Sequence, residues 1–342
     1  MYFNLQNQKM HHQQQLTSCI ALENLGTQSR NSQIVFESSL MRFKPRRVRT
    51  VLSTRSLCRR PDFMMESAKG PIQIQFDTPL RLNNQEDGLA YFIFNAEGTE
   101  SILLLHGGMT GAPEWDLVIP HFSTQYHLIV PDLPLHNNSK NMKLENASLE
   151  TGMLLRDLIK EAAKGGQAHV VGMSMGAQIG RRLAVQFPDV VKTCFLSGFK
   201  RYDTLPLQNY IPYIVAAIET VGSKIPKSWM DEIEHNNSTT TPRDFAHFKK
   251  VWNLIMDDGA VKDQPFAART LVVAASKGPF TNDSTADAKW LALLAQRENS
   301  RSMAVQHKRM RHAWVRQDPK LVAEAVICWI ESKPLPDGFQ PL

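Results

Sequence analysis

The pentapeptide Gly172-Met173-Ser174-Met175-Gly176 constrains this chain more than any other stretch. It reads G-x-S-x-G, follows the apolar run Ala168 to Val171, and opens onto a helix-compatible segment ending near Phe187. A strand that passes directly into a helix through a serine must make a tight, strained turn, and that turn lifts the hydroxyl clear of its own backbone. Small residues are needed at 172 and 176, because bulk there would meet the strand or the helix. Ser174 is therefore a candidate nucleophile. The bland alternative, a plain Gly-Ser turn, does not call for a strand and a helix on its two sides. A nucleophilic serine also needs a base, donors for an oxyanion and a sheet to hold them.

The rest of the chain has the rhythm of such a sheet. Strand-like runs fall at residues 72–76, 90–94, 101–105, 127–130, 168–173, 191–196, 270–275 and 303–306, and helical patterns at 148–163, 177–187, 285–296 and 321–331. Several strands are short, continuous and apolar, as expected when helices cover both faces of a parallel sheet. Strands alternating with helices of ten or more residues predict an α/β fold. Residues 204–265 break the rhythm: they hold helical patterns (208–221 and 244–257) and no strand-like run. The block 199–268 reads as a helical cap over the carboxyl edge of the sheet, where open α/β sheets bind ligands.

The +6 formal charge of the 342-residue chain does not point to nucleic acid. Residues 1–61 hold ten Lys/Arg and two acids, a net of +8, which leaves −2 for the remainder. A nearly neutral body does not imply a phosphate-binding surface. Residues 1–65 read as a disordered or targeting extension, residues 66–335 as the folded domain and residues 336–342 as a tail. From Met41 the extension is Arg- and Ser-rich with no acid before Asp62, the composition of a mitochondrial transit peptide, so the expected location is cytoplasmic or mitochondrial. No apolar run approaches the roughly 20 residues of a membrane span. Cys19, Cys58, Cys194 and Cys328 are widely spaced and read as unpaired thiols.

Two further loops carry chemistry. His106-Gly107-Gly108 follows the strand 101–105, so flexible backbone lies at the carboxyl edge near Ser174. The N–H groups of Gly108 and Met175 are the candidate oxyanion donors, with His106 holding the loop. His312 sits in Met310-Arg311-His312-Ala313-Trp314, between the last predicted strand and the last helix, and is the candidate base. His121, His127, His136 and His169 lack such a placement and read as packing residues.

The succession LLLHGG, PDLPLHNNS, GMSMG and RHAW, with Trp115 after the His-Gly loop, resembles the α/β-hydrolase fold superfamily over residues 70–335. The resemblance implies a mostly parallel eight-stranded sheet with helices on both faces, a cap between strands six and seven, and a Ser–acid–His triad in that order. By resemblance Ser174 and His312 match nucleophile and base, and Gly108 and Met175 the oxyanion pair. The sequence departs from the family twice. The fourth-strand loop, usually Pro-Asp-x-x-Gly-x-Gly, is Pro131-Asp132-Leu133-Pro134-Leu135-His136-Asn137, which puts its shape in question; Asp132 reads as structural. After strand seven the usual Ser-Lys-Asp is Ser276-Lys277-Gly278. Asp283 is the favoured acid, although Asp or Ser there also makes a good helix N-cap, with Ser284 and Asp287 spaced like a capping box. Asp203, after strand six, is the other candidate, and the absence of a standard acid is the third possibility.

The reading that follows is a serine hydrolase for a small or medium acyl compound (a carboxylic ester, thioester or lactone) acting through an acyl-serine. The alternatives are the same fold with other chemistry (a C–C bond hydrolase, a lyase or a cofactor-free oxygenase) and, further off, a non-catalytic ligand-binding relative. No cofactor, metal or nucleic acid is expected, only a small-molecule substrate, and the oligomeric state stays open. Tyr210, Tyr213, Trp229, Phe245, Phe248 and Trp252 are aromatic residues for a cap to use, either as pocket lining or as its own core.

Overall fold

The computed structural model describes residues 74–202, 210, 213, 245–256, 261–277 and 283–342, all within the compact unit Glu66–Leu342. Nine strands form one mixed sheet: β1 (Leu80–Arg81), β2 (Ala90–Phe94), β3 (Glu100–Leu105), β4 (Tyr126–Pro131), β5 (Ala168–Met173), β6 (Val191–Ser197), β7 (Arg269–Ala275), β8 (Met303–His307) and β9 (Phe339–Pro341). Their order is β1-β2-β4-β3-β5-β6-β7-β8-β9. Every pairing from β4 through β3 and β5 to β8 is parallel, and only the outer pairs β1/β2, β2/β4 and β8/β9 are antiparallel.

The eight-strand expectation needs two corrections. Residues 74–76 form no strand, and the edge is made instead by the two-residue β1. Residues 336–342, read above as a tail, supply β9: Gln340 lies opposite Gln306 and Phe339 opposite His307. A three-residue strand carries too little period-2 pattern to be read from sequence; its pairing with β8 makes it one.

The helices are α1 (Ala147–Ala162), α2 (Met175–Gln186), α3 (Phe245–Met256), α4 (Thr285–Gln296), α5 (Trp314–Gln317) and α6 (Pro319–Ile330). Alternate strand residues serve opposite faces of the sheet. On β3, Leu103 and Leu105 join the core that holds Leu155 and Leu158 of α1 and Leu183 of α2, while Ile102 and Leu104 join Trp115, Val326 and Trp329 on the other side. Both faces are covered, which explains why the central strands are apolar at consecutive positions.

Because the central strands run the same way, their carboxyl ends open along one edge, and the loops after β3, β5, β6, β7 and β8 gather there. Between β6 and β7 the described residues include α3. Two arginines of α2 hold the end of that segment: Arg182 donates to the carbonyls of Leu254 (2.8 Å) and Ile255 (2.9 Å), and Arg181 to those of Val261 (2.6 Å) and Lys262. Cations at a helix C-terminus complement its exposed carbonyls. Within α3, Phe248 is buried and stacks on Trp252, so these two aromatics are at least partly the segment's own packing. Tyr210 and Tyr213 are exposed and lie side by side, while Trp229 and the helical pattern 208–221 fall almost wholly outside the described residues. No helix among the described residues is long and apolar enough to cross a membrane.

Candidate active site

The turn between β5 and α2 has the geometry its sequence requires. Ser174 takes φ 54° and ψ −111°, a region costly for a residue with a Cβ. Its amide is anchored to the carbonyl of Ser197 at the end of β6 (2.8 Å). A Cβ on Gly172 would collide with the carbonyl of Gly176, and one on Gly176 with the carbonyl of Leu105, so strand, helix and β3 close on one another through two glycines. Ser174 occupies the N-cap position of α2, yet its side chain makes no capping hydrogen bond. A serine at a helix start normally engages the backbone with its hydroxyl; this one does not.

Asp283 lies at the same edge, bonded to the end of β7. The strand ends at Ala275, and the Asp283 amide donates to the Ala275 carbonyl (2.8 Å). The Ala275 amide donates in turn to Oδ2 of Asp283 (2.8 Å). Oδ1 accepts from Nδ1 of His312 at 2.5 Å, and the Asp283 side chain is 3% exposed. The helix-cap role belongs to its neighbour: Ser284 accepts from the Asp287 amide (3.1 Å), and the Asp287 carboxylate turns to Arg201. Asp203, the competing acid, lies outside the described residues.

His312 follows β8, in a loop tied down by Trp314, whose buried indole N–H donates to the Ser197 hydroxyl (2.8 Å). Its imidazole packs against Gly198 at the end of β6. A Cβ there would lie 2.6 Å from Cε1 of His312 and 3.4 Å from the Ser174 amide nitrogen, so the ring stands beside the turn. Burial by itself would lower the His312 pKa, but the hydrogen bond and charge of Asp283, with a contribution from Glu114, outweigh it and hold the pKa above the ordinary histidine value. With Nδ1 engaged by Asp283, Nε2 is the nitrogen that can take a proton.

The His-Gly-Gly loop closes the site from β3. A Cβ on Gly108 would lie 3.8 Å from Cβ of Met175, which puts the two candidate oxyanion donors side by side, and 3.3 Å from Cδ1 of Ile255 on α3. Met175 is the first residue of α2, whose leading amides have no partner within the helix. His106 is structural, as expected: Nε2 accepts from the Leu133 amide (2.9 Å) and Nδ1 bonds the Gly107 carbonyl (2.7 Å). Sequence reasoning missed the part played by His136, which accepts from the Met109 amide (3.1 Å) and bonds the Pro134 carbonyl (2.9 Å). Burial pushes His106 down to about 4 and His136 to about 3, so both are neutral supports. Among the described residues no group of three or more His, Cys, Asp or Glu is placed to hold a metal ion.

The fourth-strand loop closes without the usual glycines. Leu135 and Asn137, which stand where the resembled loop has them, adopt φ 70° and 38°. The strain is held by buried Asp132, whose carboxylate accepts from the Ala112 amide (2.8 Å), the Asn138 amide (3.2 Å) and the side chains of Asn137 and Asn138. Glu114 was also missed; its one sequence signal is an acid beside Trp115 in an otherwise apolar turn.

Comparison with known proteins agrees with this architecture. The family described as the alpha/beta hydrolase fold matches residues 100–214. An AB hydrolase superfamily protein of Gibberella zeae is 33% identical over 269 residues, covering 78% of this chain and 91% of that protein. The (E)-2-((N-methylformamido)methylene)succinate hydrolase of Acinetobacter baylyi is 25% identical over 283 residues, 75% of this chain and 98% of its own length. Among solved structures, the α/β-hydrolase MGS-M2 from a deep-sea metagenome superposes with a TM-score of 0.58 at 20% identity, covering 72% of this chain and 96% of that one.

Proposed function

Given that this chain belongs to the α/β-hydrolase superfamily, we propose that it is a serine hydrolase that cleaves a small or medium acyl compound through an acyl-serine. The observation that carries the reading is the 2.5 Å bond from His312 to an Asp283 carboxylate that is anchored on the end of β7. Ser174 Oγ attacks the carbonyl carbon while Nε2 of His312 takes its proton. Asp283 fixes the tautomer and stabilises the imidazolium. The tetrahedral oxyanion is met by the amides of Gly108 and Met175, a contribution of about 3–4 kcal/mol per donor in sites of this kind. The leaving group departs with the proton from His312, and a water activated by the same imidazole then releases the acid and frees Ser174.

The described part of the segment 199–268 supports its reading as a cap, since Ile255 of α3 lies beside Gly108. That methyl group favours an apolar substituent next to the reacting carbonyl. A second reading keeps the same residues but breaks a bond other than an ester, and it is favoured by the Acinetobacter relative, whose name describes an N-methylformamido substrate. A fluorophosphonate probe is expected to label the wild-type protein and to leave Ser174→Ala unlabelled. Labelling that survives the substitution overturns both readings. Given labelling at Ser174, turnover of acyl esters separates the first from the second.

A further inference from the structure

Glu114 lies in the single 3-10 turn Ala112–Trp115 that follows the His-Gly-Gly loop, and it is 3% exposed. Its Oε2 accepts from the Gly107 amide (2.5 Å) and from the Thr110 hydroxyl (3.1 Å), which also donates to the Gly107 carbonyl (2.8 Å). A Cβ on Gly107 would stand 3.4 Å from Oε1 of Glu114 and 3.6 Å from Cβ of Ser174. A bare glycine is thus all that separates this carboxylate from the serine side chain. Burying a carboxylate costs several kcal/mol unless partners compensate it. A turn that needed only two acceptors for its donors could use a neutral side chain, so the choice of an acid here calls for another explanation.

The groups around it supply one. Arg316 of α5 bonds Asp116 and the backbone carbonyl of Glu114, and does not bond its carboxylate. Coulombic coupling links Glu114 to His312 in both directions, and Arg316 also acts on Glu114. His312 in turn faces Asp283 from β7 and Lys200 from beyond β6, the latter opposing its protonation. His106, bonded to the same Thr110, is held neutral by burial.

We propose that Glu114 is a second acid of this site, a positioning residue that holds the Gly107 amide so that Gly108 is presented to the oxyanion, and whose negative charge joins that of Asp283 in stabilising the His312 imidazolium formed when Ser174 loses its proton. This inference rests on the serine-hydrolase reading. Burial pushes the Glu114 carboxyl above the usual carboxylate range, while the Gly107 amide, Thr110, His312 and Arg316 all favour its charged form.

Two measurements on the full chain test it: the His312 Cε1 titration by NMR, which needs no reaction, and the pH profile of fluorophosphonate inactivation. In Glu114→Gln the His312 midpoint is expected to fall by about half a pH unit or more, because a neighbouring charge shifts a pKa and a neutral isostere does not. Inactivation at neutral pH is expected to slow by about tenfold or more as the oxyanion backbone loosens. Glu114→Asp, which keeps the charge, is expected to bring the midpoint back to near the wild-type value. If Glu114→Gln does not fold, Thr110→Val removes a donor from the same carboxylate and is expected to move the midpoint in the same direction by less. A His312 midpoint that stays put in Glu114→Gln, or in Thr110→Val where Glu114→Gln does not fold, overturns the proposal, even where inactivation slows. The hydrolase reading fails separately, by labelling of Ser174→Ala.

Discussion

Two helices of this fold start at a serine, and the two serines do opposite work. Ser284 at the head of α4 has an extended backbone, φ −74° and ψ 111°, and its hydroxyl accepts the Asp287 amide. Ser174 at the head of α2 has φ 54°, makes no cap, and stands beside an imidazole. The first turn commits its hydroxyl to the helix, which leaves Asp283 next to it available to His312. The second accepts backbone strain and keeps a hydroxyl that caps nothing. The candidate acid and the candidate nucleophile thus come from turns at the ends of β7 and β5, one relaxed and one strained.

The contrast breaks most completely at Gly176. Gly176→Val would drive side-chain atoms into the Leu105 carbonyl, and loss of the folded protein is expected, seen as absent cooperative thermal unfolding. A near wild-type melting temperature for Gly176→Val would show the strained turn to be dispensable. Next in size is Asp283→Asn, which keeps the shape and removes the charge. Probe reaction is expected to slow by on the order of 10²–10⁴-fold, with a melting temperature close to wild type, whereas Asp203→Asn is expected to leave the rate near that of the wild type. The reverse result would move the acid to the end of β6.

A smaller effect separates the two turns by pH. The strained turn borders a loop resting on His106 and His136, held neutral down to about 4 and about 3 chiefly by burial. The unfolded chain protonates its histidines near pH 6.5. Stability from these groups is therefore present above about pH 6.5 and lost as pH falls from there toward the folded values, by roughly 1 kcal/mol per unit for each group. Acid unfolding followed by circular dichroism is expected to show that slope, and His136→Gln to flatten it. An unchanged slope would clear His136. The smallest effect belongs to Ser284→Ala, which should cost about 1 kcal/mol of stability and leave probe reactivity unchanged. A large loss of reactivity there would mean that the α4 cap also positions Asp283.

Much of this architecture was legible along the chain. The period of the strands, the glycines around Ser174 and the loop holding His312 all lie within short windows, where local sterics and side-chain pattern decide the outcome. The parts that were not legible depend on closure in space. The place of Asp283, as opposed to a cap role, was not legible until Ala275 was seen to bond it from both sides. Leu135 and Asn137 occupy glycine-like conformations that nothing in their side chains announces; the Ser139 carbonyl holds the first through its amide and Asp132 the second through its side chain. β9 exists because β8 offers an edge to a three-residue segment.

The sequence alone determined an α/β sheet, a serine lifted at the end of β5 and a histidine loop beyond β8, since each follows from neighbours within a few residues. Tertiary structure decided that the Asp283 carboxylate meets His312, what supports the His-Gly-Gly loop, and that Glu114 lies buried against the Gly107 amide. Hydrogen bonds and charges act through space, and the residues they join here are separated by 29 positions for Asp283 and His312 and by 117 for Trp314 and Ser197.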